Sequence, residues 1–266
     1  MIVELNGIAV NYIQEGDGDT VFVLHGWGAN IDAVRPIIDV LNKYFRVVAL
    51  DLPGFGDSPA PEKPIDSFQY AEIVKQLIDY TGTKKVSLVG HSFGGKLSII
   101  LSSKYPELVE KVVLIDSAGL IPQRTIKYHL KVGTFKILKK VWNTLFFYKD
   151  ESNRLKSLYK LFGSDDYQAS EGVMRKILVK VVNEDMKPLL KDIQAPALLI
   201  WGDKDDATPL YQGKIMESEI EGSGLVIFEG AGHFSYVDDY GRFKLVLKSF
   251  FKISDEKTSN SEFGGA

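Results

Sequence analysis

Six residues, Gly90-His91-Ser92-Phe93-Gly94-Gly95, constrain this chain more than any others. The short apolar run Val86-Ser87-Leu88-Val89 leads into them, and a helical pattern over residues 96–105 leads away. The expected local structure is a strand, a tight turn and a helix, with a serine at the top of the turn. A serine hydroxyl is a weak nucleophile, and such a turn holds it clear of the sheet edge, where a histidine can reach its proton. Glycines at 90 and 94 leave room for the backbone to close up. The helix that starts just after Ser92 aims free N–H groups at any oxyanion forming there.

The rest of the chain alternates in kind. Residues 2–5 and 8–14 flank Asn6-Gly7, the preferred two-residue hairpin signal, so the sheet opens with an antiparallel pair. Apolar runs of strand length follow at 20–24, 46–50, 85–89, 112–115, 197–201 and 225–228. Helical spacing separates several of them, at 31–43 with a break near Pro36, at 68–80 and at 96–105. Strands buried on both faces between helices make a mostly parallel sheet covered on both sides.

Composition sets limits on function. A chain of 266 residues with 45% hydrophobic content can bury one large core, and its net charge of −3 does not argue for nucleic acid. With no cysteine there is no disulfide, thiolate metal site or cysteine nucleophile, and no histidine spacing points to a metal or other cofactor. The N-terminus lacks the basic and apolar regions of a secretory signal, and no apolar run approaches the ~20 residues of a membrane span. The expectation is a cytoplasmic protein acting on a small molecule, ending in a disordered tail over residues 254–266.

The turn around Ser92 resembles the nucleophile elbow of the α/β-hydrolase superfamily. His25-Gly26-Trp27-Gly28 resembles that superfamily's oxyanion loop, and the match implies backbone N–H donors at Trp27 and Phe93. Read alone, the same loop is a strand-ending turn with a buried histidine. Asp51-Leu52-Pro53-Gly54-Phe55-Gly56-Asp57-Ser58 is similar to a structural loop of the superfamily, in which Asp51, Asp57 and Ser58 shape the backbone. Trp201-Gly202-Asp203-Lys204-Asp205 resembles the loop carrying the triad acid and implies Asp205, with Asp203, Asp206 and Asp116 as alternatives. Gly230-Ala231-Gly232-His233 lies where the superfamily keeps its general base, and of the four histidines only His233 is well placed for it.

The resemblance implies an α/β-hydrolase fold with an eight-stranded, mostly parallel sheet. Core segments 1–118 and 192–253 would flank an inserted helical cap at 119–191. That insertion holds 15 Lys/Arg against 7 Asp/Glu, a net +8, and Leu130, Thr134, Leu138, Val141, Trp142 and Leu145 share one helical face. Its charge reads as a solvated face, as attraction of an anionic substrate, or as interfacial binding. The implied chemistry is serine-dependent hydrolysis of small or medium carboxylic esters. The loops also look like those of carbon–carbon bond hydrolases of vinylogous diketo acids, and a slow-turnover receptor of the same fold is a further alternative.

Overall fold

The computed structural model of this chain describes residues 1–123, 134 and 165–253. Strands β1 (Ile2–Leu5) and β2 (Ile8–Glu15) form the expected hairpin, with Asn6 and Gly7 at φ values of 50° and 74° in its turn. The remaining strands are β3 (Thr20–Leu24), β4 (Arg46–Leu50), β5 (Val86–His91), β6 (Val109–Ile115), β7 (Ala197–Gly202) and β8 (Gly224–Phe228). They form one eight-stranded sheet of order β1-β2-β4-β3-β5-β6-β7-β8. Pairs β1·β2 and β2·β4 are antiparallel, and β4 through β8 run parallel.

Successive strand residues point to opposite faces, so each strand feeds two cores. On one face Phe22, Leu24, Leu88, Leu114 and Trp201 pack under helices α2 (Ser67–Tyr80) and α3 (Phe93–Lys104). On the other, Val21, Val23, Val89, Val113 and Ile200 meet α1 (Arg35–Leu41) and the C-terminal α8 (Tyr240–Phe251). A side chain such as Phe22, fully buried, contributes about 1.5–3 kcal/mol.

Local chemistry sets the helix starts. A short 3-10 turn, Ile31–Val34, precedes α1, and Pro36 falls in the first turn of α1, where its missing N–H costs nothing. Asp66 caps α2 in a reciprocal box with Gln69. Helix α3 begins at Phe93, three residues before its apolar pattern, because Gly94 and Gly95 carry no helical signal. Strand β6 likewise begins three residues early, through Glu110 and Lys111.

Helices α4 (Asp165–Ala169) and α5 (Gly172–Val181) follow β6 in the described chain. Ile177 and Val181 of α5, with Met186, Leu190 and Ile193, join the core of α2 and α3. The expected boundary at 191 falls inside a 3-10 turn, Lys187–Asp192. After β7 come α6 (Tyr211–Glu219) and, beyond β8, α7 (Ser235–Asp238). The expected helix through Leu130, Leu138, Val141, Trp142 and Leu145 lies outside the described residues apart from Thr134, which is helical and exposed. The expected tail at 254–266 also lies outside them. Among the described residues no helix is long and apolar enough to cross a membrane.

Candidate active site

The carboxyl ends of β3, β5, β6, β7 and β8 lie along one edge of the sheet, where open α/β sheets carry ligands. Ser92 stands at the end of β5 with φ 51° and ψ −112°, a conformation that costs a residue with a Cβ about 1–3 kcal/mol. Neighbouring strands hold it there. The Ser92 N–H donates to the Ile115 carbonyl at 3.0 Å, and its carbonyl accepts from the Ala118 N–H at 3.0 Å. A Cβ at Gly90 would overlap the Gly94 carbonyl, and one at Gly94 would overlap the Leu24 carbonyl. Glycine at both positions is therefore what lets α3 start hard against the sheet. Gly94→Ala is expected to cost about 1–3 kcal/mol or more through overpacking. A lowered thermal midpoint checks this, and an unchanged midpoint would refute the close approach.

His233, on the loop after β8, reaches Ser92 across the ends of β6 and β7. Its Nε2 lies 3.0 Å from Ser92 Oγ, and its Nδ1 lies 2.9 Å from Asp205 Oδ2. A carboxylate only accepts, so the imidazole proton sits on Nδ1 and Nε2 is free to accept from the serine. Asp205 is itself fixed. Its Oδ1 accepts the Ala207 and Thr208 N–H groups at 2.8 and 2.9 Å. Thr208 Oγ1 stands 2.6 Å from Oδ2 and 2.9 Å from the Asp116 carbonyl, with one proton to share. Burial pushes the Asp205 carboxyl up, but the bonds from His233 and Thr208 outweigh it and hold the group below the usual aspartate range.

The other carboxylates of these loops do different things. Asp116, fully buried at the end of β6, accepts the Gly202 N–H at 2.9 Å and the N–H and hydroxyl of Ser235 at 3.0 and 2.6 Å. It clamps the ends of β6 and β7 to the residue two past His233. Burial raises its pKa to about 7 against those three donors. Asp203 accepts the Gly230 N–H, and Asp206 is exposed at the rim. Asp51 accepts from Asn11, Ile31 and Asp57, and Ser58 donates to its carbonyl. Both therefore shape the loop, while the Asp57 side chain points to solvent.

Two buried histidines brace the site in neutral form. His25 Nε2 accepts the Leu52 N–H at 2.9 Å and its Nδ1–H donates to the Gly26 carbonyl, which ties the loop after β3 to the loop after β4. Burial lowers its pKa to about 4. His91 Nε2–H donates to the His233 carbonyl at 2.7 Å. Burial first, then the nearby His233, lowers the His91 pKa to about 3, so it carries no charge when His233 does.

Trp27 and Phe93 sit together beside Ser92. Their rings meet edge to face at 5.6 Å, with Phe55 against Trp27 at 4.9 Å and Tyr70 against Phe93 at 5.3 Å. Phe93 is the first residue of α3, where a backbone N–H has no partner within its helix. A cavity of about 630 Å³ opens over these residues, lined among others by Ser92, His233, Leu120, Leu178, Lys96 and Gln212. Its size suits a medium-sized small molecule.

The structure thus brings together Ser92, Asp205, His233, Trp27 and Phe93, all nominated from sequence. Sequence reasoning missed Thr208, Ser235 and Gln212, whose roles arise only in space. It also passed over Lys96, for which there was a signal: among residues 93–103 it is the single charged side chain in an otherwise apolar or small-residue helix.

A doubly covered parallel sheet, a strained serine after its fifth strand and the order Ser, Asp, His along the chain define a fold class. A family model described as the alpha/beta hydrolase fold matches residues 19–240, and the chain belongs to that family. Membership supports hydrolase activity. The chain is 29% identical to an uncharacterized hydrolase, YugF, of Bacillus subtilis over 245 residues, spanning 86% of this chain and 89% of that one. It is 26% identical over 258 residues to a pimeloyl-[acyl-carrier protein] methyl ester esterase of Neisseria meningitidis, spanning 92% of this chain and 80% of the other. A crystal structure of a bacterial membrane phospholipase A is similar with a TM-score of 0.75 and 25% identity, covering 95% of this chain and 85% of that one.

Proposed function

We propose that this chain is a serine hydrolase that cleaves carboxylic esters through an acyl-enzyme on Ser92. The observation that carries the reading is the continuous chain of contacts from Ser92 Oγ through His233 to Asp205, at 3.0 and 2.9 Å, under a cavity. A methyl ester esterase and a phospholipase A among the similar proteins support an ester as substrate.

In this cycle Ser92 Oγ attacks the ester carbonyl as its proton passes to His233 Nε2. Backbone N–H groups of Trp27 and Phe93 receive the oxyanion, where fixed donors act most strongly. The tetrahedral intermediate collapses, the His233 proton moves to the leaving oxygen, and the alcohol departs. Water then attacks the acyl-serine, gives a proton to His233, and the carboxylic acid is released as that proton returns to Ser92. Asp205 keeps the imidazole in the right tautomer and stabilises its charged form.

The test is steady-state hydrolysis of nitrophenyl esters from acetate upward. Saturable turnover with an optimum at medium chain length is expected from the cavity size. A folded protein without turnover on any member of the series would refute ester hydrolysis and leave carbon–carbon cleavage of a diketo acid as the reading to pursue.

A further inference from the structure

The cavity over Ser92 is mostly apolar, lined by residues such as Trp27, Leu120, Leu178 and Val181, yet its lining includes two buried polar side chains, Lys96 and Gln212, that neither take part in the proposed cycle nor hold the residues that do. Lys96 lies in the first turn of α3, its N–H donates to the Ser92 carbonyl at 3.2 Å, and both residues line this cavity. Lys96 is 4% exposed. Its Nζ donates to the carbonyls of Val181 and Glu184 at 2.5 and 2.9 Å, which among the described residues leaves one of its three N–H groups over. Gln212, near the start of α6, is 1% exposed, and among the described residues neither its amide nitrogen nor its amide oxygen has a hydrogen-bond partner.

Both features are costly in an acyl pocket built only for hydrocarbon. Taking an ammonium out of water and leaving a primary amide unpaired each oppose folding. Lys96 is also the single cation among the described residues lining the cavity; the lining carboxylates Asp166 and Asp206 are on its exposed part, where water screens them. Two carbonyls at the end of α5 neutralise Lys96 only in part, and Glu184 and Asp185 near it oppose the lowering of its pKa, to about 8, that burial causes. The ammonium form therefore persists at neutral pH.

We propose that the cavity selects acyl chains ending in a carboxylate, paired with the Lys96 ammonium and taking a second hydrogen bond from the Gln212 amide. The inference rests on the acyl-enzyme reading of Ser92 and narrows its substrates to monoesters of dicarboxylic acids. One buried cation with one spare donor matches a single carboxylate better than a phosphate dianion, which needs more charge and more donors. The remaining walls take up the methylene chain.

The experiment compares nitrophenyl monoesters of dicarboxylic acids, from adipate to azelate, with nitrophenyl alkanoates of the same length, each kcat/KM divided by the uncatalysed rate. At the best length the ratio of carboxylated to neutral substrate is expected to exceed one by about tenfold or more, and to fall about tenfold or more in Lys96→Met and in Gln212→Leu. A ratio at or below one in the parent protein overturns the proposal. So does a ratio unchanged in both variants while activity drops on both substrates, which would make Lys96 only a tie between α3 and α5. Should Lys96→Met fail to fold, Gln212→Leu and protection by free adipate, pimelate, suberate and azelate decide. These anions should shield Ser92 from a fluorophosphonate in the parent protein and less in Gln212→Leu, and equal or absent shielding counts against the proposal. Ser92 unlabelled by fluorophosphonate and no turnover of any ester would instead refute the serine-hydrolase reading beneath it.

Discussion

Replacing Ser92 by alanine is expected to lower kcat on a nitrophenyl ester by on the order of 10⁴- to 10⁶-fold, with the protein still folded. The size follows from what the substitution removes. The Oγ 3.0 Å from His233 Nε2 is the atom that would form the acyl bond, and no other hydroxyl among the described residues is hydrogen-bonded to that nitrogen. His233→Ala should cost a similar factor, because without the base the Ser92 proton has nowhere to go as the bond to carbon forms. The double variant should then lose little more than either single one. Residues acting as one unit are strongly non-additive, whereas two independent contributions would multiply. Folding is not expected to suffer: the strain at Ser92 lies in its backbone, which the Ile115 carbonyl and the Ala118 N–H continue to hold. Rates of the three variants and their thermal midpoints check this. A Ser92→Ala protein with full activity would remove Ser92 from the reaction, and multiplicative losses would separate its role from that of His233.

What could be read from the sequence divides along a physical line. The core strands were legible because strands buried on both faces must be nearly continuous in apolar residues, as β3 and β7 are. Their edges were less so. Glu110 and Lys111, exposed and half-buried, follow Val109 at the start of β6, so the unbroken apolar run starts late. Gly94 and Gly95 lie inside α3 although they are poor helix formers, since the close approach of Leu24 in β3 to Gly94 and of Ser117 to Gly95 overrides propensity there. Ser92, Asp205 and His233 could be nominated because each sits in a loop whose neighbours in sequence also shape it. Lys96 could not be explained that way: its partners at Val181 and Glu184 lie 85 and 88 residues further on. The same holds for the bond from Ser235 to Asp116, 119 residues apart. Such roles exist only after the chain has closed on itself.

The two buried aspartates then give the sharpest contrast. Asp205→Asn is expected to lower kcat by on the order of 10⁴-fold. At Oδ1 the Ala207 and Thr208 N–H groups demand an acceptor, so an asparagine must keep its carbonyl oxygen there. Its NH₂ then takes the place of Oδ2 and faces His233 Nδ1, which can no longer carry a proton. The imidazole proton moves to Nε2, and Ser92 faces a donor instead of a base. Asp116→Asn should cost far less activity, within about tenfold, because Asp116 bonds Gly202 and Ser235 and not His233. Its loss falls on stability instead. All three of its partners donate, so the new NH₂ meets a donor in either orientation, at a cost of about 1–3 kcal/mol. That cost depends on pH in a definite direction. Asp116 has a pKa of about 7 in the folded chain, above the 3.8 of an unburied aspartate. Between those values the native state binds a proton that the unfolded state has released, so this group withdraws stability as pH rises through that window. Asparagine does not titrate. The gap in thermal midpoint between parent and Asp116→Asn should therefore be wider at pH 5 than at pH 8. A gap that widens with pH would contradict the raised pKa, and a larger loss of kcat in Asp116→Asn than in Asp205→Asn would move the acid of the site to the end of β6.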